Sequence, residues 1–217
     1  MADRAVGVPF AKEGIPFIAA PVGVTLLTAW LGWPVVAFLG GIATLFSAWF
    51  FRNPARVIPQ GPPNLIVAPG DGKVIAIEEE FEPRYLKERS VRLTIFLNVF
   101  DVHINRMPCD GVVEGIQYQP GLFLVASKPD ATLRNEQNAV MIKTHNGIKV
   151  LCVQVAGLIA RRIVCWISDR EQAIRGERYG LIRFGSRMDT FLPIGTKIRV
   201  AVGDRVKGGE TIIGELP

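Results

Sequence analysis

Val140-Met141-Ile142-Lys143-Thr144-His145-Asn146-Gly147-Ile148-Lys149-Val150-Leu151-Cys152-Val153-Gln154-Val155 is the stretch that sets the fold class. Two runs rich in branched apolar residues, Val140–Thr144 and Ile148–Val155, flank Asn146-Gly147. Asn-Gly accepts the positive φ angles of a tight turn at little cost, so the pair predicts two antiparallel strands joined by a two-residue turn. Outward from this hairpin, Val67–Ile77, Val91–Val99, Arg162–Ile167, Leu181–Phe184 and Lys197–Val202 read as further strands, with Gly and Pro between them. Helical pattern after Arg52 is confined to two short candidates, Pro83–Arg89 and Ser127–Glu136. The expectation is a mainly β, antiparallel body over residues 57–217.

Residues 1–56 are different. From Gly14 through Phe51 there is no charged residue, and this stretch carries most of the positive mean hydropathy of the 217-residue chain. One straight helix of that length would run to about 57 Å at about 1.5 Å per residue. A hydrocarbon core is only about 30 Å thick. Gly32 and Pro34 sit near the middle and predict a break, giving arms near Phe17–Leu31 and Val35–Phe51. Trp30, Trp33 and Trp49 fall where interfacial anchors belong. Arg4 and Lys12 precede the arms, and Arg52 and Arg56 follow them. A hairpin places both basic flanks on one side, which the positive-inside rule makes cytoplasmic. The expectation is a helical hairpin that associates with the cell membrane from its cytoplasmic face. A secretory signal fits less well, because the apolar region is too long and no cleavage site follows it. A buried core hairpin is the bland alternative.

The formal net charge of +5 suits work against anionic lipid. It would also suit nucleic acid, but no zinc-finger, helix-turn-helix or aromatic-basic signature accompanies it, so no nucleic acid partner is expected. Cys109, Cys152 and Cys165 form no CxxC pair, and only His103 and His145 are present; neither a metal site nor a disulfide framework is indicated. His145 sits beside the Asn146-Gly147 turn and reads as structural.

Ala68-Pro69-Gly70-Asp71-Gly72-Lys73-Val74 and Val202-Gly203-Asp204-Arg205-Val206-Lys207-Gly208-Gly209-Glu210 are alike in style. Both resemble turns of the barrel-sandwich folds of biotinyl and lipoyl carriers. A carrier presents its lysine at a hairpin tip among small or Met residues, and Lys207 lacks that full setting. The architecture is expected to be barrel-sandwich-like without the carrier function.

Three places can carry chemistry: Asp71, His103 and Gly185-Ser186. Singly each has a plain reading: a turn aspartate bonded to its own backbone, a polar strand face in solvent, and a turn. Alternation predicts Asp101, His103 and Asn105 on one strand face and Val102, Ile104 and Arg106 on the other. Together with the hairpin, their order along the chain resembles the phosphatidylserine decarboxylases of the short bacterial type. The resemblance rests on Phe50-Phe51-Arg52-Asn53-Pro54-Ala55-Arg56, on Ala68-Pro69-Gly70-Asp71-Gly72, on Asp101–Pro108, on Arg134-Asn135-Glu136 and on Phe184-Gly185-Ser186. Longer members read Leu-Gly-Ser-Thr where this chain has Phe184-Gly185-Ser186-Arg187, and carry a second histidine where this chain has Arg106.

The resemblance implies a carboxy-lyase that converts phosphatidylserine to phosphatidylethanolamine and CO2. It implies a zymogen cut between Gly185 and Ser186, giving a β subunit of residues 1–185 and an α subunit of residues 186–217. Ser186 becomes a covalent pyruvoyl cofactor, which reacts with the lipid amine as a Schiff base. Asp71, His103 and Ser186 are the implied catalytic residues, with Asp71 orienting His103 and His103 moving protons. The chemistry is coherent, because removing CO2 leaves an electron pair that side chains cannot accept, so a carbonyl cofactor is needed. Arg52, Arg56 and Arg187 are candidate phosphate contacts. Assembly beyond the α/β pair, into a homo-oligomer, is left open. A non-catalytic, membrane-tethered barrel-sandwich module and a pyruvoyl decarboxylase of a soluble amino acid are the competing readings.

Overall fold

The computed structural model describes residues 8–122, 134–157, 162–183 and 185–217. It divides into two compact units, one ending at Ala55 and one spanning Arg56–Pro217.

The first unit is a helical hairpin. After a single 3-10 turn at Lys12–Gly14 come α1, Ile15–Trp30, and α2, Pro34–Phe50, within a residue or two of the expected arms. The break is where the sequence placed it: Gly32 takes φ +74 and Pro34 opens α2, where a missing N–H costs nothing. The helices approach closely at Gly40, where a side-chain carbon would stand 2.4 Å from Thr25 Oγ1. Phe17 stacks on Phe51 with ring centroids 5.4 Å apart. Leu26, Trp30, Phe38 and Leu45 lie exposed along the hairpin. The helical stretch Lys12–Trp30 is long and apolar enough to cross a membrane, and Pro34–Phe50 is shorter.

The second unit is mainly β, and its sheets are antiparallel, curled into a half-barrel. Its first strands are β1 (Leu65–Val67), β2 (Gly72–Glu82), β3 (Glu88–Leu97), β4 (Ile104–Arg106), β5 (Gly111–Gln119), β6 (Gln137–Lys143) and β7 (Lys149–Ala156). They are followed by β8 (Ile163–Cys165), β9 (Gln172–Ala173), β10 (Arg178–Ile182), β11 (Ser186–Pro193), β12 (Lys197–Ile198), β13 (Arg205–Val206) and β14 (Ile212–Glu215). The large sheet has the order β13-β2-β3-β11-β7-β6-β5-β9; two three-stranded sheets, β1-β14-β12 and β4-β10-β8, accompany it. Leu93, Ile95 and Leu97 of β3, Met188 and Leu192 of β11, and Val140 and Ile142 of β6 join the core on the inner face of the large sheet. Each such side chain contributes about 1.5–3 kcal/mol relative to exposure. A smaller cluster of Leu151, Val153, Val155 and Phe191 covers the outer face, packed by Tyr85 and Leu86 from the β2–β3 connection.

Several expectations are corrected. The hairpin at Asn146-Gly147 is one residue longer than a two-residue turn. The Thr144 N–H donates to the Ile148 carbonyl (2.8 Å), the Gly147 N–H donates to the Thr144 carbonyl (2.9 Å), and Gly147 takes φ +80. This is a three-residue loop, and the Thr144 hydroxyl stabilises it by accepting the Ile148 N–H at 3.2 Å. The run Val67–Ile77 is two strands in different sheets, because Pro69 has no N–H for a ladder and the chain turns there. Pro83–Arg89 is a turn rather than a helix. The buried Glu82 carboxylate accepts the N–H groups of Arg84, Tyr85 and Leu86 at 2.6–3.0 Å, and β3 starts at Glu88, opposite Glu82. The strand expected over Arg162–Ile167 is only Ile163–Cys165, Leu181–Phe184 is replaced by Arg178–Ile182, and Lys197–Val202 is strand only at Lys197–Ile198. The helix expected over Ser127–Glu136 lies outside the described residues up to residue 133, as does Phe184; Asn135 forms an isolated bridge with Leu122.

Candidate active site

Ser186 is the first residue of β11, the central strand of the body. It pairs with Leu97 of β3 on one side and Ala156 of β7 on the other, and it is fully buried. Among the described residues its Oγ has no hydrogen-bond partner. The Ser90 and Thr190 hydroxyls are unpartnered in the same way, so what distinguishes Ser186 is its place after Gly185 and close to His103. Gly185, just before it, takes φ +65, a conformation that L side chains adopt only under strain; no atom lies within 4 Å of where its Cβ would be. The glycine is therefore required by the backbone and not by crowding.

His103 arrives from the segment between β3 and β4. Its Nε2 lies 3.2 Å from the Gly185 backbone nitrogen, and its Nδ1 lies 3.0 Å from the Asp101 carbonyl oxygen. A carbonyl can only accept, so Nδ1 carries the proton, and Nε2 accepts the Gly185 N–H. The backbone oxygen of Asp101 is thus the partner of Nδ1. The Asp101 carboxylate is held by the Asn98 N–H (2.9 Å) and by Arg205.

Asp71 sits in the turn between β1 and β2. Its two carboxylate oxygens accept from Arg56 Nη2 at 2.9 and 2.7 Å, and Oδ1 also accepts the Gly208 N–H at 2.8 Å. The two look-alike segments are therefore partners: the Gly209 N–H donates to the Ala68 carbonyl (2.8 Å), the Ala68 N–H donates to the Thr211 carbonyl (2.9 Å), and Val206 pairs with Gly72. The Asp71 turn also meets β4, where the Arg106 N–H donates to the Pro69 carbonyl at 2.8 Å. Gly70 brings it beside the core around Ser186, because a side-chain carbon there would stand 3.3 Å from Leu97 and 3.4 Å from Met188.

Arg106, at the position of the missing histidine, is buried and donates to the Gly176 carbonyl at 2.8 Å. Burial and the neighbouring Arg56 and Arg178 pull its pKa down to about 10. Arg56 is buried against Asp71 and Glu210, and Arg187 is buried against Asp189 (2.9 Å) on the face of β11 opposite Ser186. Neither is a surface phosphate contact. Arg52 stacks over Trp49 at 4.1 Å. A cavity of about 330 Å³, lined by Glu80, Arg84, Tyr85, Arg92 and Phe191, opens on that same outer face, away from the Ser186 hydroxyl. Asn135 donates to the Ala156 carbonyl at 2.7 Å, so the Arg134-Asn135-Glu136 turn anchors the strand end opposite Ser186. Sequence reasoning missed Asn138 and Gln154, since mid-strand amides carry no local signal. His145 is exposed at its turn. Among the described residues no group of three or more His, Cys, Asp or Glu side chains is placed to hold a metal ion.

Chemically, the junction holds the parts for attack by a serine on the carbonyl that precedes it: a buried hydroxyl, a left-handed glycine, and an imidazole bonded through Nε2 to that glycine's N–H. These residues fit a serine that is converted into a carbonyl cofactor. Comparison with known proteins identifies the family. The family model for phosphatidylserine decarboxylase matches residues 43–214. A phosphatidylserine decarboxylase proenzyme of Syntrophus aciditrophicus is 50% identical over 94% of this chain and 96% of the relative. Proenzymes of the same name from Geotalea uraniireducens and Desulfotalea psychrophila are 47% and 44% identical, each over 96% of this chain and 97% of the relative. The chain belongs to the phosphatidylserine decarboxylase family.

Proposed function

We propose that this chain is a proenzyme that cuts itself between Gly185 and Ser186 and then decarboxylates phosphatidylserine to phosphatidylethanolamine at the membrane surface. The observation that carries the reading is the hydrogen bond from the Gly185 N–H to His103 Nε2, 3.2 Å long, which holds the imidazole one residue from Ser186, whose buried hydroxyl has no partner among the described residues.

In processing, His103 takes the Ser186 Oγ proton, and Oγ attacks the Gly185 carbonyl carbon. The Gly185–Ser186 C–N bond breaks and the nitrogen takes the proton, leaving an ester and a free amine. Loss of the residue 186 Cα proton then expels the ester oxygen. Gly185 ends as a carboxylate, and residue 186 becomes dehydroalanine. This tautomerises to an imine, and one water replaces its nitrogen, releasing ammonia and leaving a ketone. A keto group at residue 186 supplies the electron sink for the pair left when CO2 departs. His103, placed at the junction, then returns a proton to the substrate carbon. Asp71 belongs to the same machinery through its turn, which packs beside Leu97 and Met188. The apolar hairpin anchors the body at the cytoplasmic face, where the lipid headgroup lies.

Intact-mass spectrometry of the purified full chain tests the reading. We expect a fragment of residues 186–217 whose first group lacks an amine, and a single uncut, inactive chain from Ser186→Ala. An intact junction in active material would overturn it; a parent chain that is both uncut and inactive would favour the non-catalytic module.

A further inference from the structure

The inner face of the large sheet carries a line of amides through otherwise apolar surroundings. Asn138 of β6 donates through Nδ2 to Gln154 Oε1 of β7 at 2.9 Å, and Gln154 Nε2 donates to Asn105 Oδ1 of β4 at 2.8 Å. All three side chains are buried. The bonds fix which end of the last amide is which. Gln154 Nε2 also faces the Val164 carbonyl at 3.4 Å, which can only accept; this sets the Gln154 amide, turns the Asn105 oxygen toward it and leaves the Asn105 nitrogen on the other side. The site is built for this arrangement at Gly180, where a side-chain carbon would stand 2.8 Å from Gln154 Nε2.

The freed nitrogen has nowhere to go. Asn105 Nδ2 is buried with no hydrogen-bond partner among the described residues. It lies 3.7 Å from where a Gly70 side-chain carbon would stand, a position that also meets Leu97 and Met188. Leu97 is the cross-strand partner of Ser186, and Met188 follows Ser186 by two residues on the same face. Ser186 Oγ is an orphan in the same core. His103 precedes Asn105 by two residues and meets the junction from the same segment.

We propose that Asn105 Nδ2 is a donor reserved for the oxygen that takes negative charge as the Ser186 junction rearranges, and that Gln154 and Asn138 hold it in that orientation. A protein core keeps an amide hydrogen unpaired only at a cost, and a donor already aimed at a developing oxyanion recovers that cost in the transition state. The inference rests on the self-processing reading.

The test uses the full chain in detergent and follows the appearance of the fragment that starts at residue 186. Asn105→Asp keeps the size and an oxygen for Gln154 but removes the donor; Asn105→Ala removes both. Cleavage should slow by about 100-fold or more in each, the loss typical of one missing oxyanion donor. Urea unfolding, compared with the equally uncut Ser186→Ala chain, reports whether each variant folds. Asn105→Asp cutting within about threefold of the parent would overturn the inference. So would failure of both variants to fold cooperatively, which would assign the amides to stability alone. If the parent chain is itself uncut, the self-processing reading fails; if the parent is cut and Asn105→Asp keeps pace with it, only this inference does.

Discussion

Gly185 and Arg56 show how single residues set the site. Gly185 has φ +65 and open space around its missing side chain. Replacing it by Ala therefore adds no clash and penalises only the left-handed conformation, by about 1–2 kcal/mol. Gly185→Ala should fold normally and cut itself about tenfold more slowly, as read by the time course of fragment formation. Arg56 is a different case. Its side chain is 7% exposed and holds both oxygens of Asp71. Removing one partner strands the other charge in a poorly solvated place. Arg56→Met should cost about 3–5 kcal/mol in urea unfolding of the uncut Ser186→Ala background. The sequence marked Asp71, His103 and Ser186 through their motifs. The oxygen that holds His103 was not legible, because any residue supplies a backbone carbonyl.

At the scale of elements, local pattern and sheet register compete, and register wins where a side chain satisfies the backbone. Pro83–Arg89 has helix-forming residues, yet Glu82 takes three of its N–H groups and the β2–β3 ladder closes directly across. Glu82→Ala would strip those acceptors from a buried position, and we expect a loss of about 1–3 kcal/mol, measured as a shift of the urea midpoint. The turn at Pro69 divides what reads as one apolar strand into β1 and β2, and so delivers Asp71 to the junction of two sheets. Periodicity cannot see this, because both halves have the same composition.

At the scale of the molecule, the position of β11 decides what cleavage would leave behind. Residues after the cut supply β11 to β14, and β11 lies between β3 and β7 with its inner and outer faces buried. The two pieces should co-elute under native conditions and separate only in denaturant, as size exclusion followed by a denaturing gel would show. The body spans Arg56–Pro217 as a unit. Deleting residues 1–55 should leave it folded while abolishing flotation with phospholipid vesicles. The sequence by itself determined the apolar hairpin and its break, the antiparallel β class, and the order of the chemical motifs. Those depend on hydrophobic period, on Gly and Pro backbone limits, and on residue type, all of which are local. Only the tertiary structure decided that the Asp101 carbonyl meets His103 Nδ1, that Arg56 and Gly208 clamp Asp71, and that Asn138, Gln154 and Asn105 join in one buried chain of hydrogen bonds. Each of these joins residues far apart in the chain or uses a backbone atom, and hydrogen-bond partners of that kind are chosen by strand register and sheet packing rather than by neighbours in sequence.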